Sequence, residues 1–214
     1  MAEPTAQTGS EGVGHAPLPN SSSGGHVSPA VAYDAAKLGI WTFLATEVLL
    51  FGGLFTAYIV FRLKFPEMFH KDFAHLNRVL GAANTVVLIT SSLTVALAIA
   101  AIRKGKQRAL KLFLFLTILL AGMFLVIKYF EWTEKFAHGL SPGTDIFFSL
   151  YFVMTGLHGL HVLGGMLVLG WMLVLAGRGR FSESYHTPVE ISGLYWHFVD
   201  LVWIYLFPLF YLIG

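Results

Sequence analysis

Five apolar stretches set the architecture of this chain, at about residues 38–61, 79–102, 110–129, 146–176 and 191–213. Each is long enough to cross ~30 Å of hydrocarbon, which takes roughly 20 residues of helix. A segment in hydrocarbon must satisfy its own backbone hydrogen bonds, so only helices and closed barrels span a bilayer. The runs are continuous and lack the alternation of barrel strands, which selects helices. The expected fold is an all-α integral membrane protein, with five transmembrane helices in one domain over residues 35–214. Composition agrees: 56% of the 214 residues are hydrophobic and 12% charged, and the mean hydropathy of +0.68 lies outside the soluble balance.

Residues 1–34 form a stretch of another kind, rich in Gly, Ser, Pro and Ala and without Lys or Arg. It cannot bury enough apolar surface to order itself and is expected to be a disordered tail. It lacks the basic start and apolar centre of a cleaved signal peptide, so it is expected to stay in the mature protein. His15 and His26 within it are read as solvated. The net charge of +2 is small and scattered, which argues against a nucleic-acid partner. Cysteine is absent, so disulfides, Cys-ligated zinc, iron–sulfur clusters and thiol nucleophiles are excluded.

The loops give an orientation. Arg103, Lys104, Lys106, Arg108 and Lys111 crowd the second loop, and Arg178 and Arg180 lie in the fourth, on the same side. The opposite loops carry the looser set Arg62, Lys64, Lys71, Arg78 and Lys135. The denser cluster predicts a cytoplasmic N-terminus and an outer C-terminus. Pro208 removes one hydrogen bond near the end of the last span and predicts a kink there.

Polar residues inside the spans carry the functional question, because a charge at the bilayer centre costs at least ~2.5–3.5 kcal/mol and stays where it has a partner or a task. Glu47 lies midway along the first span between Phe43 and Phe51, with no cation in reach on its own helix. Two readings stand: a carboxyl bonded to a neighbouring helix, or a proton-handling group. His158 and His161, one turn apart in the fourth span, share a stripe with Tyr151, Met154 and Gly165. Two haem ligands normally approach from different helices, and no carboxylate accompanies the pair in sequence, so interhelical hydrogen bonds across a glycine-lined contact are the better reading. Glu190, Gly193, His197 and Asp200 trace one side of the last helix. His197 and Asp200, three apart, are expected to offset each other's burial as a polar pair. Trp196 and Trp203 on the adjoining face read as packing or interfacial anchors. Lys128 and Glu131 are expected to form an ordinary ion pair near the headgroups.

Three runs carry a resemblance: Gly39-Ile40-Trp41-Thr42-Phe43-Leu44-Ala45-Thr46-Glu47-Val48-Leu49-Leu50-Phe51, Thr155-Gly156-Leu157-His158-Gly159-Leu160-His161-Val162, and Tyr195-Trp196-His197-Phe198-Val199-Asp200-Leu201-Val202-Trp203. In this order they resemble subunit III of haem–copper terminal oxidases, in the short five-span bacterial type of the cytochrome c oxidase subunit. The likeness covers about Lys37 to Gly214. It implies a non-catalytic helical subunit of the bacterial cytoplasmic membrane, with no cofactor of its own and with haem and copper in partner subunits. It further implies a split bundle whose cleft holds structural phospholipids, direct contact with oxidase subunit I alongside subunit II and further respiratory complexes, support of proton uptake, and protection of the catalytic centre from turnover-dependent inactivation. Glu47 aligns with the family's buried, carbodiimide-reactive glutamate, His158 and His161 with its histidine pair, and Glu190, His197 and Asp200 with its final-helix motif. These, with Glu131, are expected to be proton-related or structural. Trp41, Arg62 and Trp196 are the candidate lipid contacts. A quinol oxidase subunit III and the related accessory protein of nitric oxide reductases are the neighbouring alternatives. A haem-b anchor using His158 or His161 and a stand-alone transporter using Glu47 are those from other classes.

Overall fold

The computed structural model of the chain describes residues 29–73 and 76–213. The tail before Pro29, with His15 and His26, lies outside the described residues. Six α-helices follow in order: α1 (Pro29–Lys64), α2 (Pro66–Phe73), α3 (Arg78–Ile102), α4 (Gln107–Ala137), α5 (Ile146–Gly177) and α6 (Thr187–Phe207), closed by a π-helical turn over Pro208–Leu212. The long helices α1, α3, α4, α5 and α6 are the five expected spans. Among the described residues there is no strand, and one bridge joins Ser182 to Tyr185 in the α5–α6 loop.

The helix ends follow local chemistry. Asn77 caps α3 by accepting from the Val79 and Leu80 amides at 3.0 and 3.2 Å, and Asp145 caps α5 by accepting from Phe148 at 2.9 Å. Beyond α3 and α5 the chain turns through Gly105 and Gly179 at φ +65° and +68°, where a side chain would strain the backbone.

Two boundaries and one additional helix differ from the sequence expectation. Helix α1 begins at Pro29, within the stretch expected to be disordered through residue 34. Proline is preset for a first helical turn, and the Ala-rich run after it propagates well. Helix α4 runs to Ala137, well past the expected end near 129, because Lys128, Glu131 and Lys135 face inward at helical spacing. Helix α2 is too short and polar to show as a span; it buries Phe69, Asp72 and Phe73 and exposes its charged side. At Pro208 the expected kink takes the form of a π-helical turn, which accommodates the missing amide.

Helices α3, α4, α5 and α6 form a closed ring in which each touches the next and α3 meets α6. Lipid tails supply little hydrophobic drive between spans, so close packing at small residues carries the association. A Cβ at Gly193 of α6 would sit 2.5 Å from Ile99 Cδ1 of α3, and one at Gly165 of α5 would sit 2.7 Å from the Trp196 ring. Helix α1 stands outside the ring against α5 and α6. Its fully buried side chains are Leu44, Phe51 and Tyr58, a seam at heptad spacing. The rest of α1 is largely exposed, including Leu38, Trp41, Leu49 and Leu63.

Candidate functional site

The seam between α1 and α5 holds an acid–base contact. His161 Nε2 lies 2.9 Å from Glu47 Oε2, with both side chains about one-seventh exposed. His161 Nδ1 lies 2.8 Å from the Leu157 carbonyl, which can only accept, so Nδ1 carries a proton. The Nε2–carboxyl contact then holds one further proton, resting either on the imidazole or on the carboxyl. Phe51 closes over the imidazole edge-to-face at 5.3 Å, and Tyr195 of α6 donates to the His161 carbonyl at 3.1 Å. Of the two readings of Glu47, the carboxyl bonded to a neighbouring helix is thus the geometry observed. Its partner comes from a residue 114 positions away, beyond the reach of helix periodicity. The carboxyl that meets His161 thus comes from another helix and not from its own.

His158 parts from His161. It points into the four-helix ring, fully buried, with Phe124 edge-on at 5.6 Å and Trp203 at 5.4 Å. Neither ring nitrogen has a hydrogen-bond partner, so the interhelical hydrogen bond expected of it is not formed. Aromatic rings fill the positions where an acceptor would stand. Among the described residues no three His, Asp or Glu side chains converge on a metal-sized centre.

The polar side of α6 is likewise divided. Glu190, at its start, takes Arg103 at 2.6 Å and His186 at 3.3 Å. His197 Nδ1 meets Ser92 Oγ of α3 at 2.7 Å. Asp200 is buried and makes neither a hydrogen bond nor an ion pair with His197, so the self-offsetting His197–Asp200 pair does not form. Residues three apart share a helix side without having to touch, and the serine of α3 gives His197 a shorter partner. Asn84 of α3 is a second fully buried polar side chain with both amide atoms unpartnered.

Glu131 corrects another expectation. Its ion pair with Lys128 forms at 2.9 Å, but the carboxylate is fully buried and far from an ordinary headgroup pair. Tyr211 and Tyr151 donate to Glu131 Oε1 at 2.6 and 2.9 Å, and Lys135 lies 3.8 Å away. Lys128 Nζ also reaches Tyr211 Oη at 2.6 Å. It sits over the rings of Trp203, Tyr211 and Tyr151 at 4.7, 5.1 and 5.4 Å, in cation–π range. Tyr211 and Lys135 thus join a centre that sequence reasoning gave to the Lys128–Glu131 pair. The available signal was the inward spacing of Phe124, Lys128, Glu131 and Lys135 along α4.

The three candidate lipid contacts separate. Trp196 is fully buried and donates its indole N–H to Ser91 Oγ at 3.1 Å, so it has no surface for a lipid. Trp41 is 55% exposed. It joins two cavities between α1 and α6, of about 320 and 650 Å³, and a third of about 300 Å³ adjoins at Val48, Phe198 and Leu201. Together they make one groove, polar at the Lys37 and Arg103 end and apolar beyond. Arg62 sits at the other end of α1, donating to the Ile213 carbonyl.

Comparison with known proteins places this arrangement. The family model for cytochrome c oxidase subunit III matches residues 19–214. The cytochrome c oxidase subunit 3 of Thermostichus vulcanus is 35% identical over 84% of this chain and 88% of its own length. That of a Synechocystis strain is 35% identical over 91% and 81%. A heme-copper oxidase subunit I+III of Aeropyrum pernix is 34% identical over 84% of this chain, which spans 23% of that longer protein. The family model takes in all five spans and the polar seams between them, and by that match the chain belongs to the cytochrome c oxidase subunit III family.

Proposed function

We propose that this chain is the non-catalytic subunit III of a bacterial haem–copper oxygen reductase that draws electrons from cytochrome c. In this reading it sits against subunit I, supports proton uptake there, and preserves the catalytic centre through repeated turnover. The observation that carries the reading is the Glu47–His161 contact. A carboxyl and an imidazole sharing one proton can pass it on or take it up without leaving an unpaired charge in the bilayer. That is a useful property in a subunit beside a proton-consuming reaction. The relative in which subunits I and III form one polypeptide supports subunit I as the direct partner, and the other relatives, cytochrome c oxidase subunits by name, support cytochrome c over quinol as donor. Haem and copper are assigned to the partner subunits, and the N-terminus to the cytoplasmic side.

The same reading gives the α1–α6 groove a phospholipid. From Trp41 to Phe55 it runs roughly 21 Å at 1.5 Å per residue, the span of an acyl chain, with Lys37 and Arg103 at one end for a phosphate. The test counts turnovers before inactivation in the complex with and without this chain. Fewer turnovers without it are expected, and equal numbers overturn the reading.

A further inference from the structure

At the far end of α1 the apolar run stops at Phe61, Arg62 follows, and the chain breaks at Phe65 into α2. Helix α2 packs on α1 and α5, with Phe69 edge-on to Tyr58 and to Phe147 at 5.3 Å each. It therefore lies across the ends of the spans, at the depth where lipid headgroups begin. The elbow encloses an open cavity of about 790 Å³. Tyr58, Leu63 and Phe69 line it on the apolar side, and Arg62, Glu67 and Lys71 on the polar side. Two of these groups are held in place: Tyr58 Oη donates to the Leu209 carbonyl at 2.6 Å, and Arg62 donates to the Ile213 carbonyl. Among the described residues Arg62, Glu67 and Lys71 have no ion-pair partner. Glu67 and Lys71 stand a turn apart on the exposed side of α2 without closing on each other.

We propose that this elbow is a headgroup site for a phospholipid bearing both a phosphate and a primary ammonium, with the phosphate against Arg62 and Lys71 and the ammonium against Glu67. An arginine fixed by one hydrogen bond keeps further N–H donors for phosphate oxygens. A carboxylate on the same rim repels a purely anionic headgroup and accepts from an ammonium. The apolar wall beside these charges admits the glycerol and upper acyl chains, which free phosphate would leave unfilled. The proposal extends the lipid-holding reading to a second place, and the two can fail separately. Val48→Trp fills the α1–α6 groove and leaves the elbow untouched.

The test uses the purified oxidase complex, delipidated and reconstituted in nanodiscs of equal phosphatidylethanolamine, phosphatidylglycerol and phosphatidylcholine, with retained lipids read by native mass spectrometry. Lys71→Gln and Arg62→Gln are expected to weaken retention of every phospholipid at the elbow by about tenfold, equivalent to ~1.4 kcal/mol. Glu67→Gln is expected to keep retention and abolish the preference for ethanolamine. Among the described residues Lys71 and Glu67 hold no ion-pair partner, so their variants should fold even if Arg62→Gln loosens the C-terminal turn. Unchanged retention in Lys71→Gln, an unchanged headgroup preference in Glu67→Gln, or displacement of the lipid by millimolar inorganic phosphate overturns the proposal.

Discussion

The Tyr211 hydroxyl donates to Glu131 Oε1 at 2.6 Å and so ties the last turn of the chain to the middle of the polar face of α4. The same carboxylate receives Lys128 and Tyr151. The bond is one member of a closed set, and its loss is felt by every other member. Tyr211→Phe removes two charge-assisted hydrogen bonds, one to Glu131 and one from Lys128, and should cost at least roughly 1.5–3 kcal/mol. Glu131→Ala strands Lys128 in the interior and should cost about 3–5 kcal/mol. Thermal dissociation of the subunit from the purified complex should rank the two in that order.

Gly165 and Gly193 both admit a neighbour too closely for a methyl group, but the neighbours differ. At Gly165 the obstacle is the Trp196 ring, itself fixed by Ser91. At Gly193 it is the tip of Ile99, a flexible side chain. Gly165→Ala should destabilise by about 1–3 kcal/mol, the usual range for overpacking. Gly193→Ala should be milder and should be restored by Ile99→Val. Gly170, which faces open space, should accept alanine without loss. Membrane abundance of the four variants compares them.

Glu47→Gln and Glu47→Leu separate docking from proton exchange. Glutamine can donate its amide to His161 Nε2 and keep α1 in place, whereas leucine leaves the imidazole with an unanswered polar edge. Subunit retention in detergent should therefore be normal for Glu47→Gln and reduced for Glu47→Leu. Proton uptake measured on the intact complex should fall in both.

Two tryptophans test which face meets the bilayer. Trp196→Ala opens the interior and should cost about 3–5 kcal/mol. Trp41→Ala should leave stability unchanged and lower the lipid copurified with the complex. Equal effects on stability would refute the assignment of Trp41 to the groove.

The architecture was legible in the sequence because hydrocarbon demands long uninterrupted helices, and each of the five runs became one. Pairings across helices were harder to read. Lys128–Glu131 was found because both partners lie on one helix. Glu47–His161 and Ser92–His197 were missed because the partners lie on different helices, and periodicity reports a side chain's direction without naming the residue opposite. His197–Asp200 failed in the converse way, since correct spacing on one helix was outbid by a hydroxyl from the next. Trp196 was read both as packing and as a lipid contact, and Gly165 settles it as packing by making a recess for it inside the ring.

The placement of α1 has a consequence for biogenesis. Among the five described spans it leaves the ribosome before the others, yet the helices it leans on, α5 and α6, come after the rest. Its far end is secured by Tyr58 and Arg62 to the carbonyls of Leu209 and Ile213. During synthesis α1 must therefore wait in the bilayer until α5 and α6 have emerged. A stop codon at Pro208 would spare every long helix and still release the far end of α1.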